Sequence, residues 1–155
     1  MRIRKMKQED MERVLEITVA AWGNNTLHKL LEDRHGVIDN KGWKERKIAD
    51  VVTFCRDHPF EVIVAVERQR VVGYATFSIN REDSIGNVLN NAVDPACQGK
   101  GVGTAMNQWI MAHFCKEGLK IARVSTLAHD KAAQRVYEKQ GFKELARSIH
   151  YSKEL

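Results

Sequence analysis

Residues Gln98-Gly99-Lys100-Gly101-Val102-Gly103-Thr104 set three glycines at alternate positions beside a lysine. They lie where a β-branched run hands over to an amphipathic one. A helix that starts near Gly101 leaves its first amide donors without intrahelical acceptors, and the positive end of the helix dipole points the same way. Such a turn is an anion site. Glycine there lets a phosphate approach the backbone and admits positive φ where the chain folds back. The stretch lacks the gap and the Gly-Lys-Ser/Thr ending of a P-loop, and its glycines do not follow the first strand of a sheet as a dinucleotide fingerprint does. On its own residues it reads either as an anion site or as a plain glycine-rich connection.

Little else in the chain has chemical spacing. Cys55, Cys97 and Cys115 form no CxxC pair and read as free thiols. The six histidines show neither HExxH nor HxH, so no metal is expected.

The elements that must position the glycine turn follow from periodicity. "RIRKM" is expected as a short first strand, and a helix from Gln8 or Glu9 to about Trp22-Gly23 carries Met11, Val14, Leu15, Thr18 and Val19 at helical spacing. The following stretch to Trp43 reads as partly helical and irregular. "WKERKIADVVTFCRDH" is a second amphipathic helix with Trp43, Lys47, Ile48, Val51, Val52 and Cys55 on one stripe. "FEVIVAVE" and "RVVGYATFSIN" form an antiparallel hairpin. Alternation sets Val71, Gly73, Ala75, Phe77 and Ile79 on one face of it and Val72, Tyr74, Thr76 and Ser78 on the other. "IGNVLNNAV" is a further strand, followed by the glycine turn and a third helix with Val102, Ala105, Met106, Trp109, Ile110 and His113 inward. "LKIARVSTLA" is a strand, "KAAQRVYEKQ" a helix capped by Gly141, and "FKELARSIHYSKEL" one or two terminal strands. The order defines an α/β (α+β) chain, read as one domain over residues 1–155, with a central sheet and helices on its faces.

Two of these segments together resemble the GCN5-related N-acetyltransferase (GNAT) superfamily. Gln98-Gly99-Lys100-Gly101-Val102-Gly103 matches its acetyl-CoA motif [QR]xxGx[GA], preceded by the common Val93-Asp94-Pro95 approach. Ala133, Val136, Tyr137, Glu138, Lys139, Gly141 and Phe142 match its AxxLYEKxGF pattern. The element order extends the resemblance over nearly the whole chain. It implies a mixed, mostly antiparallel sheet of six to seven strands with about four flanking helices, splayed between the fourth and fifth strands.

The same resemblance implies an acetyl-CoA-dependent N-acetyltransferase working by direct transfer in a ternary complex. Main-chain amides from Gln98 through Thr104 (Gln98, Gly99, Lys100, Gly101, Val102, Gly103, Thr104) would cradle the pyrophosphate. Ala92 and Val93 would bond the pantetheine arm, and Val93 N–H would face the thioester carbonyl. Tyr137 stands at the family's usual acid position, where its phenol would protonate the departing thiolate. Asp130 replaces a frequent Asn and is expected either near the cofactor or as a helix cap, with Ala133 three residues on. Many relatives carry a Glu on the fourth strand; here Ile85–Val93 holds no carboxylate, and no base is assigned. Asn90 and Asn91 would orient a water, bind substrate or simply end the strand. Trp22 would wall an amine pocket or pack at a helix end.

The implied partner is a small-molecule or peptide amine. The net charge of +5 is scattered among acids with no basic run interleaved with aromatics, so no nucleic acid is expected. No apolar run approaches the roughly 20 residues of a membrane span, and the N-terminal "MRIRKMKQED" lacks a secretory signal, so a cytoplasmic protein with no membrane partner is expected. The family often pairs through C-terminal strands, which makes "SIHYSKEL" a homodimer edge. The differing-class alternative is a CoA-binding sensor that does not turn over.

Overall fold

The computed structural model describes residues 1–155, the Asn24 side chain excepted. Five strands form one sheet in the order β1(Arg2–Lys5), β2(Val62–Glu67), β3(Arg70–Asn80), β4(Ile85–Val93), β5(Ile121–Val124). The first four pair antiparallel, while β4 and β5 run parallel. Five helices accompany them: α1(Met11–Trp22), α2(Leu27–His35), α3(Trp43–Asp57), α4(Val102–Lys116) and α5(Lys131–Lys139). The sheet is thus smaller than the six to seven strands expected, and the helices number five rather than about four. Residues 142–155 carry no strand, and Leu145, Ile149, Tyr151 and Leu155 in that tail are exposed. The segment expected to be partly helical contains α2, whose Thr26 caps it by accepting from His28 N at 3.4 Å.

Each sheet face has its own core. Val14 and Ile17 of α1 and Val51 and Cys55 of α3 pack on Val62, Val64, Val71, Tyr74 and Ala92. On the other face Val102, Met106, Ile110 and Phe114 of α4 pack on Ile63, Ala65, Val72, Ala75, Phe77 and Val88. The expected alternation in β3 therefore fails at its start, where Val71 and Val72 exchange faces. Ala65 opposes Gly73 but Val66 opposes Val71, so Val72 is an extra residue in a bulge that flips the side chains beyond it.

A second bulge matters more. Ala75 opposes Asn91 and Phe77 opposes Val88, so Leu89 and Asn90 of β4 together face Thr76. Thr76 Oγ1 pins this bulge, accepting from Asn90 N at 2.9 Å and Asn90 Nδ2 at 3.1 Å. The β4–β5 ladder ends at Val88↔Val124, whereas β4 stays paired with β3 out to Gly73↔Val93. Beyond Val88 one side of β4 is open, which is the splay the sequence led us to expect.

The ends of the layers are tied by charge. Arg4 grips Asp10 in a two-pronged pair at 2.6 and 2.8 Å, and Asp10 also accepts from Lys7 N at 2.7 Å. Asp10 is buried, and these bonds hold its carboxyl below the usual range. Among the described residues no helix is long and apolar enough to cross a membrane.

Candidate active site

The site forms where β4 leaves the sheet. Asp94 N donates to Val72 O, and Asn90 N turns to Thr76, so the main-chain groups of Asn90, Ala92 and Asp94 face β3. By strand alternation those of Asn91 and Val93 face the gap left by β5. Ala92 has its methyl buried in the α1–α3 core, so of the two expected arm-binding residues only Val93 turns its backbone to the gap. Gln98 Nε2 donates to Val93 O there at 3.4 Å.

Asp94 fixes the approach to the glycine turn. Its carboxylate accepts from Ala96 N at 3.0 Å and pairs with Arg13 of α1, which also donates to Val71 O. Pro95–Cys97 make a single 3-10 turn. Gly99 (φ +75°) and Gly101 (φ +79°) then take left-handed conformations that cost other residues about 1–2 kcal/mol. The first α4 bond runs from Ala105 N to Gly101 O, so Val102, Gly103 and Thr104 offer amides with no helical acceptor. Gly103 has ordinary helical φ and lies beside β4, where a Cβ would come into ordinary contact with Val93 Cγ2 at 3.7 Å and Asn91 Oδ1 at 3.9 Å. Lys100 folds its ammonium onto Ala96 O at 2.9 Å.

Tyr137 reaches this point from the far side. Asp130 caps α5 by accepting from Ala133 N at 3.0 Å, so these two residues engage one another. At the other end Gly141 (φ +87°) closes the helix and Phe142 stacks edge-on to Tyr137, with centroids 5.8 Å apart. Asn107, buried in α4, donates to Gln140 Oε1 at 2.5 Å and anchors α5 against α4. The half-buried phenol is thereby brought beside the Asn91 side chain. Burial pushes its pKa up and Asp130 adds to the effect, against a smaller opposing pull from Asn91. Tyr137, Asn91, Val93 and Gly103 thus converge.

On the opposite face of β4 a second polar group gathers around Lys47, which the sequence reading did not single out as a site residue. Lys47, 8% exposed, donates to Asn90 Oδ1 at 2.7 Å and lies 4.1 Å from the Trp22 ring centroid. Burial lowers the pKa of its ammonium, and Asp50 one turn on offsets part of that. The Trp22 indole N–H lies near the Tyr74 hydroxyl but outside hydrogen-bond geometry, and it is buried without an acceptor among the described residues. Trp22 is thus packed at the end of α1, as one of its two expected readings had it, and its ring faces the chain's own Lys47. The signal for Lys47 was a cation on the apolar stripe of α3.

Of the remaining candidates, Cys55 is buried, with its thiol pushed up to about 11, and Cys97 and Cys115 are also free. Among the described residues no group of three His, Cys, Asp or Glu side chains could hold a metal ion.

Residues 24–142 match the Acetyltransferase (GNAT) family, and the chain belongs to it. A mycothiol acetyltransferase of Streptomyces scabiei (strain 87.22) is 29% identical over 96 residues, covering 62% of this chain and 31% of that protein. The match thus spans about a third of that relative's length. Among solved structures, the ribosomal-protein-S18-alanine N-acetyltransferase of Escherichia coli superposes with a TM-score of 0.68 at 19% identity, covering 94% of this chain and 79% of that one. The PaiA N-acetyltransferase of Thermoplasma acidophilum, solved in complex with coenzyme A, gives a TM-score of 0.66 at 16% identity, covering 92% and 89%. At such identities the structural likeness establishes the fold.

Proposed function

We propose that residues 1–155 act as one acetyl-CoA-dependent N-acetyltransferase domain, moving an acetyl group directly to a primary amine. The observation that carries this reading is the convergence of the open α4 N-terminus, the unpaired edge of β4 and the Tyr137 phenol on one gap.

The fit to acetyl-CoA rests on the donor set. The amides of Gly99 through Thr104 suit a pyrophosphate, and the two left-handed glycines aim them. The gap-facing backbone of Val93 suits an amide-bearing arm, as an added strand would. When bound, acetyl-CoA supplies a thioester carbonyl activated for attack. Val93 N–H donates to the oxygen that gains charge as the amine nitrogen bonds the carbonyl carbon. The carbon–sulfur bond breaks, the Tyr137 hydroxyl gives its proton to the departing sulfur, and the proton shed by the new amide nitrogen leaves to solvent, from which the phenol regains its own. Its raised pKa keeps that proton in place at neutral pH. Asn91, beside Tyr137, lines the place on β4 that the phenol faces. Asp130 and Ala133 set the start of α5, and through it the position of Tyr137.

No carboxylate stands on β4 to take the proton of the incoming ammonium. That absence favours the one alternative retained, a CoA-binding sensor without turnover. The two readings separate on free-thiol release from acetyl-CoA across a panel of primary amines. Release with any amine supports the transferase. A melting-temperature rise with acetyl-CoA and no release from the whole panel favours the sensor, and no binding at all overturns both.

A further inference from the structure

Resting on the transferase reading, we infer that the acceptor is a small amino acid whose carboxylate is held by Lys47, so that Lys47, Trp22 and Asn90 set acceptor specificity.

The charge at Lys47 is unbalanced. A buried ammonium is normally matched by a carboxylate, because removal from water disfavours the charged form. Lys47 is buried, yet its contacts at close range are neutral: Asn90 Oδ1 and the face of Trp22. Asp50 acts on it only through space and spends its carboxylate on His28 Nε2 at 2.6 Å. An ammonium has three N–H donors, of which Asn90 takes one and the indole face suits a second. The third is left for an anion.

The location makes that anion part of the acceptor. Asn90 is the bulged residue of β4, and its successor Asn91 contacts Tyr137. The bulge is rigid because Thr76 holds both nitrogens of Asn90, which leaves Asn90 Oδ1 free to steer Lys47. A carboxylate on Lys47 lies beside the bulged stretch of β4 whose far edge is open beyond Val88, and the acceptor's amine reaches the thioester arm at that open edge. A polycation would bring like charge against a lysine that cannot withdraw into water, so polyamines are disfavoured.

The test measures thiol release from acetyl-CoA with matched pairs, each an amino acid and its carboxamide, together with a polyamine. The carboxylate members are expected to have kcat/KM at least about tenfold higher, the scale of one charge-assisted hydrogen bond. Lys47→Met should erase that gap by raising KM for the carboxylates about 10- to 100-fold, with kcat and acetyl-CoA affinity nearly unchanged, and Lys47→Arg should restore part of it. Equal use of carboxamides or polyamines overturns the inference while leaving the transferase reading intact. A uniform kcat loss for every acceptor in Lys47→Met makes Lys47 a proton acceptor instead and also overturns it. If acetyl-CoA binds but nothing in the panel turns over, melting of the CoA complex still decides. A stabilisation by amino acids that Lys47→Met loses supports the inference, and none in the wild type overturns it. Failure of acetyl-CoA to bind overturns the transferase reading itself. Unchanged circular dichroism of both variants guards against loss of fold.

Discussion

At the level of single residues the account turns on Tyr137. Phe conserves the ring that packs on Phe142 and removes only the hydroxyl, so Tyr137→Phe should lower kcat about 100-fold or more while acetyl-CoA affinity holds. Because the phenol must stay protonated and its pKa is raised above 10, the wild-type rate should fall only above pH 10, and that limb should vanish in the variant. An unchanged kcat in Tyr137→Phe would reduce the residue to packing. Tyr137 and the glycines were legible in the sequence because a motif fixes them by local spacing. Lys47 was not, since its role depends on Asn90, 43 positions away, and strand pairing alone brings the two together. Asp130 was legible as a cap for a local reason: its partner Ala133 is one helical turn on.

Among the elements, β4 was read with its observed bounds, Ile85–Val93, and the glycine turn was placed ahead of the right helix. The bulges escaped because nothing in a β-branched run marks where a partner strand adds a residue; Val71 and Val72 look equivalent until Ala65 and Val66 face them. The missing terminal strands have a related cause. Alternation in "FKELARSIHYSKEL" signals capacity to pair, not the presence of a partner, and β5 is only four residues long. Two predictions belong here. A Cβ on Gly86 would meet the buried Phe114 ring, 2.6 Å from Cζ, so Gly86→Ala should destabilise the chain by about 1–3 kcal/mol in urea unfolding. Asp10→Asn should cost about 1–3 kcal/mol at pH 7 by removing the charge and one of the two oxygens to which Arg4 and Lys7 donate. Asp10 has a depressed folded pKa, so its contribution is present above the ordinary 3.8 and is lost as pH falls through the lower folded value. The gap between wild type and Asp10→Asn should therefore close on acidification, and a pH-independent gap would contradict the assignment.

For the molecule as a whole, two cores on opposite faces of one sheet leave β4 as the wall between two half-sites. The gap side carries Val93, Gly103 and Tyr137, and the α1–α3 side carries Asn90, Lys47 and Trp22. The first half was visible in the sequence because local motifs mark it; the second depends on helices that fold onto the sheet from a distance. The central claim concerns the first half, that the α4 N-terminus holds the pyrophosphate of acetyl-CoA. Calorimetric titration of the purified chain with acetyl-CoA and with acetyl-pantetheine, which keeps the thioester arm and lacks the pyrophosphate, tests it directly. The account predicts that acetyl-CoA binds at least about 100-fold more tightly, since two or more charge-assisted hydrogen bonds of about 1.5 kcal/mol each are lost with the pyrophosphate. Equal affinities for the two, or no heat with acetyl-CoA, would contradict it.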